Sequence, residues 1–199
     1  MMRRFIFTVA LLTIFATAES QVMKRSMPGS IKAVKKVVVY EEGKGVFAPS
    51  GWMGDTSAIA VDANCPLKPK NGKACIKWTY DVSKSSKNGW AGVYWQYPAN
   101  NWGNTKGQDL TGHKKLSFWV RGDKGGEVID MKIGGITGKF ADTVSKELKG
   151  VKLSSEWKQY VIDLSGRDLS NVIGGFCWAA DSKLNSKTIT FYFDDIVYE

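Results

Sequence analysis

The chain has 199 residues, with 28 Lys and Arg against 19 Asp and Glu, a formal charge of +9 with its one histidine neutral. Hydrophobic residues make up 43% and aromatics 12%, which excludes a disordered chain and supplies one sizeable core. Seven of the basic residues precede position 37 and leave 21 against 18 acids after it, so the body is nearly neutral and is not a polyanion-binding fold.

In chain order, Arg3 and Arg4 precede an apolar run over 5–16, and Ala16-Thr17-Ala18 places small residues at −3 and −1. This predicts a signal peptide over 1–18 and a secreted or periplasmic protein. The run falls short of the ~20 residues that cross a bilayer, and no Cys follows the cleavage point, so neither membrane insertion nor a lipid anchor is expected. Residues 19–36 read as a basic linker with Lys24, Arg25, Lys32, Lys35 and Lys36, a solvated tail.

From 37 to 199 strand signals dominate. Runs rich in β-branched and aromatic residues occupy 33–40, 58–63, 74–82, 90–97, 116–121, 128–133, 160–164, 173–179 and 188–198. Turn clusters such as Asn71-Gly72, 122–126 and Gly134-Gly135 separate them. Leu116, Phe118 and Val120 alternate with Ser117, Trp119 and Arg121, and Ile76, Trp78 and Tyr80 with Lys77, Thr79 and Asp81. No stretch beyond residue 18 has a helical period. The predicted fold is an all-β antiparallel sandwich of the jelly-roll kind over 37–199.

Cys65 and Cys75 flank a turn with Pro66, Pro69 and Gly72, which in an exported chain predicts a disulfide contributing ~3 kcal/mol. Cys177, in an apolar run, reads as a buried thiol.

Catalytic machinery is thin. His113, in a Gly-His-Lys-Lys turn, reads as a solvated loop residue, and a single histidine excludes imidazole-rich zinc sites and leaves a Ser-His-Asp or Cys-His arrangement without support. Neither a GxxxxGK[ST] loop nor a GxGxxG turn opening a helix occurs. Glu127, Asp130 and Asp163 could converge as a two-carboxylate glycosidase, although turn capping and solvation account for such residues more often. The chain reads as a non-enzyme.

The richest segment is 89–107, GWAGVYWQYPANNWGNTKG. On a strand, Trp90, Tyr94 and Gln96 share one face and Val93, Trp95 and Tyr97 the other, and the glutamine favours exposure of the first. Trp102 follows Pro98 and sits beside Asn100 and Asn101, without apolar neighbours to bury it. A pyranose offers C–H faces to a flat ring and hydroxyls to amides and charged groups. Trp90, Tyr94, Gln96, Asn100, Asn101 and Trp102, joined by Trp119 and Arg121 on an adjacent strand, therefore form the candidate carbohydrate surface. Rings with Arg also suit single-stranded nucleic acid, but export and the near-neutral body argue against that partner. The same sandwich could instead hold a protein partner in the cell envelope. Asp194-Asp195 near the end could cap a sheet edge or bind a hard cation.

The opening Tyr40-Glu41-Glu42-Gly43, PSGWMGD over 49–55, WAGVYWQYPANNWG, WKQYVIDL over 157–164 with Ser165-Gly166, VIGGFCW over 172–178 and the closing FYFDDIVYE together resemble the galactose-binding-like jelly-roll superfamily, which includes many carbohydrate-binding modules. The segments also look like those of secreted bacterial proteins of this sort. The resemblance covers 37–199 and implies a non-catalytic glycan binder. It also implies a structural calcium at the edge of the sandwich, with Glu41 and Asp194 matching the opening and closing acids and Asp55 on a contributing loop.

Overall fold

The computed structural model describes residues 34–199; the predicted signal peptide over 1–18 and residues 19–33 of the predicted linker lie outside the described residues. Eleven strands follow one another: β1 Val37–Tyr40, β2 Ala48–Gly54, β3 Ile59–Cys65, β4 Cys75–Tyr80, β5 Trp90–Gln96, β6 Lys115–Gly122, β7 Val128–Gly134, β8 Ser145–Lys152, β9 Lys158–Asp163, β10 Gly174–Asp181 and β11 Ile189–Tyr198. Among the described residues the helical content is two short 3₁₀ turns, and no helix is long and apolar enough to cross a membrane. The strands form two antiparallel sheets, β3-β4-β11-β6-β9 with β1 paired to β11, and β2-β5-β10-β7-β8. This is the predicted jelly-roll sandwich.

The inner faces meet in an aromatic core. Trp78 of β4 lies with its ring centroid 5.5 Å from Trp95 of β5 and 5.1 Å from Trp178 of β10. Phe176 packs 5.0 Å from Phe118 and 5.1 Å from Phe193. Each ring of this size contributes about 1.5–3 kcal/mol by leaving water. The alternations read in β4 and β6 hold: Ile76, Trp78 and Tyr80, and Leu116, Phe118 and Val120, are all buried.

Two strands escape sequence reading, and both are edges. β2, APSGWMG, contains a proline and two glycines, and its register slips between Pro49 and Gly51. β8, SKELKGVK, carries lysines along its length. Proline, irregular pairing and charge keep an open edge from pairing with another chain, and the same features hide a strand from propensity.

Two further expectations change. His113 is buried, not solvated, with Nδ1 2.8 Å from the Leu110 carbonyl oxygen and Nε2 3.0 Å from that of Lys35, so it ties the incoming chain to the loop before β6. Cys65 and Cys75 face each other as register partners on β3 and β4, but both are thiols, and the Cys75 Sγ donates to the Cys65 carbonyl oxygen at 3.5 Å. The predicted bridge is therefore not formed in this structure. Burial pushes the Cys75 thiol up to about 12.

Candidate functional site: the outer face of the five-stranded sheet

In antiparallel pairs, residues directly opposite share a face. Because Ala91, Val93 and Trp95 point into the core, Trp90, Gly92, Tyr94 and Gln96 point outward, as the glutamine suggested. The registers then fix rows across this outer face. Gly92 stands between Met53 and Ala179, and Ala179 pairs on with Asp130. Tyr94 stands between Gly51 and Cys177, and Cys177 pairs on with Lys132. Glycine and alanine in the first row make a low floor, with larger side chains on either side.

Trp90 forms one wall. It is 36% exposed and, with Asp130, Ala179, Asp181 and Leu184, borders a cavity of about 170 Å³. The other wall is Tyr94 and the loops laid over it. Tyr94, Ile136, Ile173 and Cys177 form a small apolar cluster outside the main core, with Met53 and Phe140 packed against it. Burial pushes the Tyr94 hydroxyl well above its ordinary value, and that hydroxyl donates to the Gly134 carbonyl oxygen at 2.9 Å. Trp102 stands on this cluster, its ring 6.2 Å from Tyr94 at 89°, and remains 43% exposed. The Lys132 Nζ lies 5.0 Å from the centre of the Tyr94 ring. Along β5 the positions of Trp90 and Tyr94 are ~13 Å apart, so the trough is long enough for more than one sugar ring.

The loop that carries Trp102 is held from inside. The Asn101 Oδ1 accepts from the backbone N–H of Gly103, Asn104 and Thr105, and its Nδ2 donates to the carbonyl oxygens of Tyr97 and Thr105. The Gln96 Nε2 donates to the Asn101 carbonyl oxygen at 2.9 Å, and its Oε1 accepts from the Ser50 hydroxyl. Gly103 has φ +91°, and a Cβ there would lie 2.0 Å from the Thr137 carbonyl oxygen, so only glycine lets the two loops touch.

The sequence-derived site therefore divides. Trp90, Asn100 and Trp102 reach the surface of this region. Tyr94, Gln96 and Asn101 are 3%, 0% and 4% exposed, and serve as a platform and two clasps instead of sugar contacts. Trp119 and Arg121 are not on an adjacent strand: β6 belongs to the six-stranded sheet, and both side chains face outward on the opposite side of the sandwich. Met53, Asp130, Lys132 and Ala179 complete the trough, and only strand order, which a single sequence does not display, brings them to β5.

The acids gather neither as a catalytic pair nor as a metal centre. Asp130 on β7 and Asp163 on β9 lie in different sheets, and the Glu127 Oε1 accepts from the Lys124 N–H at 2.8 Å. Asp55 accepts from the Ser85 hydroxyl, the Asn88 side chain and the backbone N–H of Asn88 and Gly89. Burial raises its pKa, but those hydrogen bonds outweigh it and hold the carboxyl below its ordinary value. Asp194 accepts from the N–H of Lys70, Asn71 and Asp195, and burial holds its carboxyl above the ordinary value. Oxygens ringed by N–H donors suit a carboxylate clasp, not calcium, which needs free carboxylate and carbonyl oxygens. Among the described residues no three Asp, Glu, His or Cys side chains form a group that could hold a metal, so Glu41, Asp55 and Asp194 do not come together as one such group.

No protein-family model and no curated protein matches the chain. Solved structures do. A family 30 carbohydrate-binding module superposes with TM-score 0.56 at 15% identity, covering 83% of this chain and 88% of that one. Another structure of a family 30 module gives 0.54 at 18%, covering 83% and 98%. The family 11 carbohydrate-binding module from Clostridium thermocellum, in complex with a β-1,3-1,4-mixed-linked tetrasaccharide, gives 0.50 at 15%, covering 83% and 96%. At these identities the likeness is one of fold, and the chain shares with these modules a jelly-roll β-sandwich architecture.

Proposed function

We propose that this protein is an exported, non-catalytic carbohydrate-binding domain that holds a glycan chain in the trough on the outer face of the five-stranded sheet. The observation that carries the reading is the pair of exposed indoles, Trp90 and Trp102, standing on either side of a floor made by Gly92 and Ala179. Each ring presents apolar surface to a pyranose face, the glycine and alanine leave room for the chain, and Asp130 and Lys132 stand where hydroxyls would point. The solved tetrasaccharide complex of a family 11 module with this fold supports the reading. Export agrees with the leader-like residues 1–18 of the sequence.

The test is affinity electrophoresis through gels containing β-mannan, mixed-linked β-glucan, xylan or polygalacturonate. The wild type should be retarded by at least one polymer, and Trp90→Ala with Trp102→Ala should migrate freely while unfolding at nearly the wild-type temperature. A folded double variant that is still retarded would place the binding surface elsewhere. No retardation on any polymer, with a protein recovered in stoichiometric complex, would make the face a protein-interaction surface.

A further inference from the structure

Near the Trp102 loop, on the side away from Trp90, lies a second cavity of about 390 Å³ between the loops. Its lining includes Lys106, Lys139 and Phe140, with Ser170 and Asn171, and contains no acid. The two places are connected: Phe140 packs against the cluster beneath Trp102, and its backbone N–H donates to the Gly103 carbonyl oxygen at 3.0 Å. The lysines are unopposed. Neither Lys106 nor Lys139 makes an ion pair among the described residues, and the Lys139 Nζ lies 5.3 Å from the centre of the Phe140 ring. The acids flanking it accept from backbone N–H groups, Asp142 half-buried and Asp168 exposed. Asp142 accepts from the backbone N–H of Ile136, Ile173 and Gly174, and the Asp168 Oδ1 accepts from the Ser170 N–H. The Asn171 side chain is likewise spent on Gly107, Phe140 and Ala141.

We infer that this cavity is a subsite for a carboxylated sugar, so that the glycan held in the trough is a uronate-bearing polymer. The inference rests on the glycan-binding reading above and adds a chemical class to it. Two ammonium groups beside an aromatic ring offer apolar contact to a sugar ring and charge to its carboxylate. Lysines act as point charges without the fixed fork of arginine, which suits a carboxylate whose orientation changes along a polymer. The near-neutral body makes the local charge a property of this end and not of the whole surface.

The experiment compares β-1,4-mannan with poly-β-1,4-mannuronate, which share a backbone and differ in the carboxylate, and methyl-esterified with de-esterified polygalacturonate. By titration calorimetry the carboxylated member of a pair should bind about fivefold to tenfold more tightly at low salt, with the preference shrinking as salt rises. Lys106→Ala with Lys139→Ala should remove the preference. Lys124→Ala with Lys187→Ala, the same charge loss on two exposed lysines around a different cavity, should keep it. Equal affinity for both members of each pair, with binding lost in Trp102→Ala, overturns the subsite and leaves the glycan reading standing. Dextran sulfate bound as tightly as polymannuronate through the same two lysines overturns it as general anion attraction. Failure to bind any of the four glycans overturns the subsite, and failure on mixed-linked β-glucan and xylan as well overturns the glycan reading with it.

Discussion

On the outer face of the six-stranded sheet, aromatic rings are already covered. The Lys70 Nζ sits 4.1 Å from the Trp119 ring, and the Arg121 guanidinium sits 3.8 Å from Tyr192 and 5.3 Å from Trp157. The loop over residues 66–74 is strapped there by the Lys68 carbonyl oxygen accepting from the Trp157 Nε1 and by Asp194 accepting from Lys70 and Asn71. On the outer face of the five-stranded sheet the straps hold loops to one side, through Gln96 and Asn101, and no cation of the described residues lies over Trp90 or Trp102. A tryptophan at a protein surface serves as a ligand platform where part of its ring is left open to solvent, as Trp102 is beside Tyr94, and not where a cation of the same chain covers it.

The largest effect expected from this contrast is on binding. Trp102→Ala should weaken glycan affinity by about thirtyfold, near 2 kcal/mol, as for a central aromatic contact, while moving the unfolding temperature little because the ring is exposed. Trp119→Ala should leave affinity at the wild-type value. Calorimetry on the two variants decides it: equal losses would mean that the faces are equivalent and that the distinction drawn from the cations is wrong.

Arg121 sharpens the same comparison from the stability side. It is 8% exposed, stacks on two rings and donates to the Leu67 carbonyl oxygen at 3.2 Å, but its Nε has no partner, which offsets part of its value. Arg121→Ala should therefore destabilise the fold by about 2 kcal/mol in urea unfolding, with Arg121→Lys intermediate and glycan affinity untouched in both. A stable variant that loses binding would instead place the site on the six-stranded sheet.

The division between the faces was half legible in the sequence. Alternation in 90–97 separates Trp95 from Tyr94 correctly, because a period of two is a local property of the chain. Tyr97 is only half-buried, against Phe47 at 6.1 Å, since β5 ends one residue before it. What alternation cannot supply is sheet order: Trp119 and Arg121 alternate as read, yet β6 pairs with β11 and β9 and not with any strand of the trough. Nor does it supply a second layer. Gln96 points outward but is buried by the 97–107 loop, and its amide, which suggested a sugar contact, is consumed by Ser50 and Asn101. The edge strands β2 and β8 were invisible because the residues that protect an edge weaken its strand signal.

The smallest effects concern the acids. With its folded pKa held below 3.8, Asp55 contributes stability that is fully present above that value and is lost as pH falls through the folded pKa. Asp55→Ala should lower the unfolding temperature at neutral pH, and the gap to wild type should narrow below about pH 4 as the wild type loses the charged clasp that the variant lacks. A gap that stays constant in acid would mean that the Ser85, Asn88 and Gly89 donors do not depend on the charge. The same geometry limits calcium. Lys70 and Asn71 aim their N–H groups at Asp194, while the Ser85 hydroxyl and the Asn88 and Gly89 N–H groups point at Asp55, so an ion would have to displace donors that already occupy each carboxylate. Adding calcium, or removing it with a chelator, should move the unfolding temperature by less than about 1 °C, because a ligand stabilises only in proportion to its binding to the folded state. A rise of several degrees that vanishes in Asp194→Asn would show that the loop over 66–74 reopens around the ion and that Asp194 holds the calcium the sequence resemblance implies.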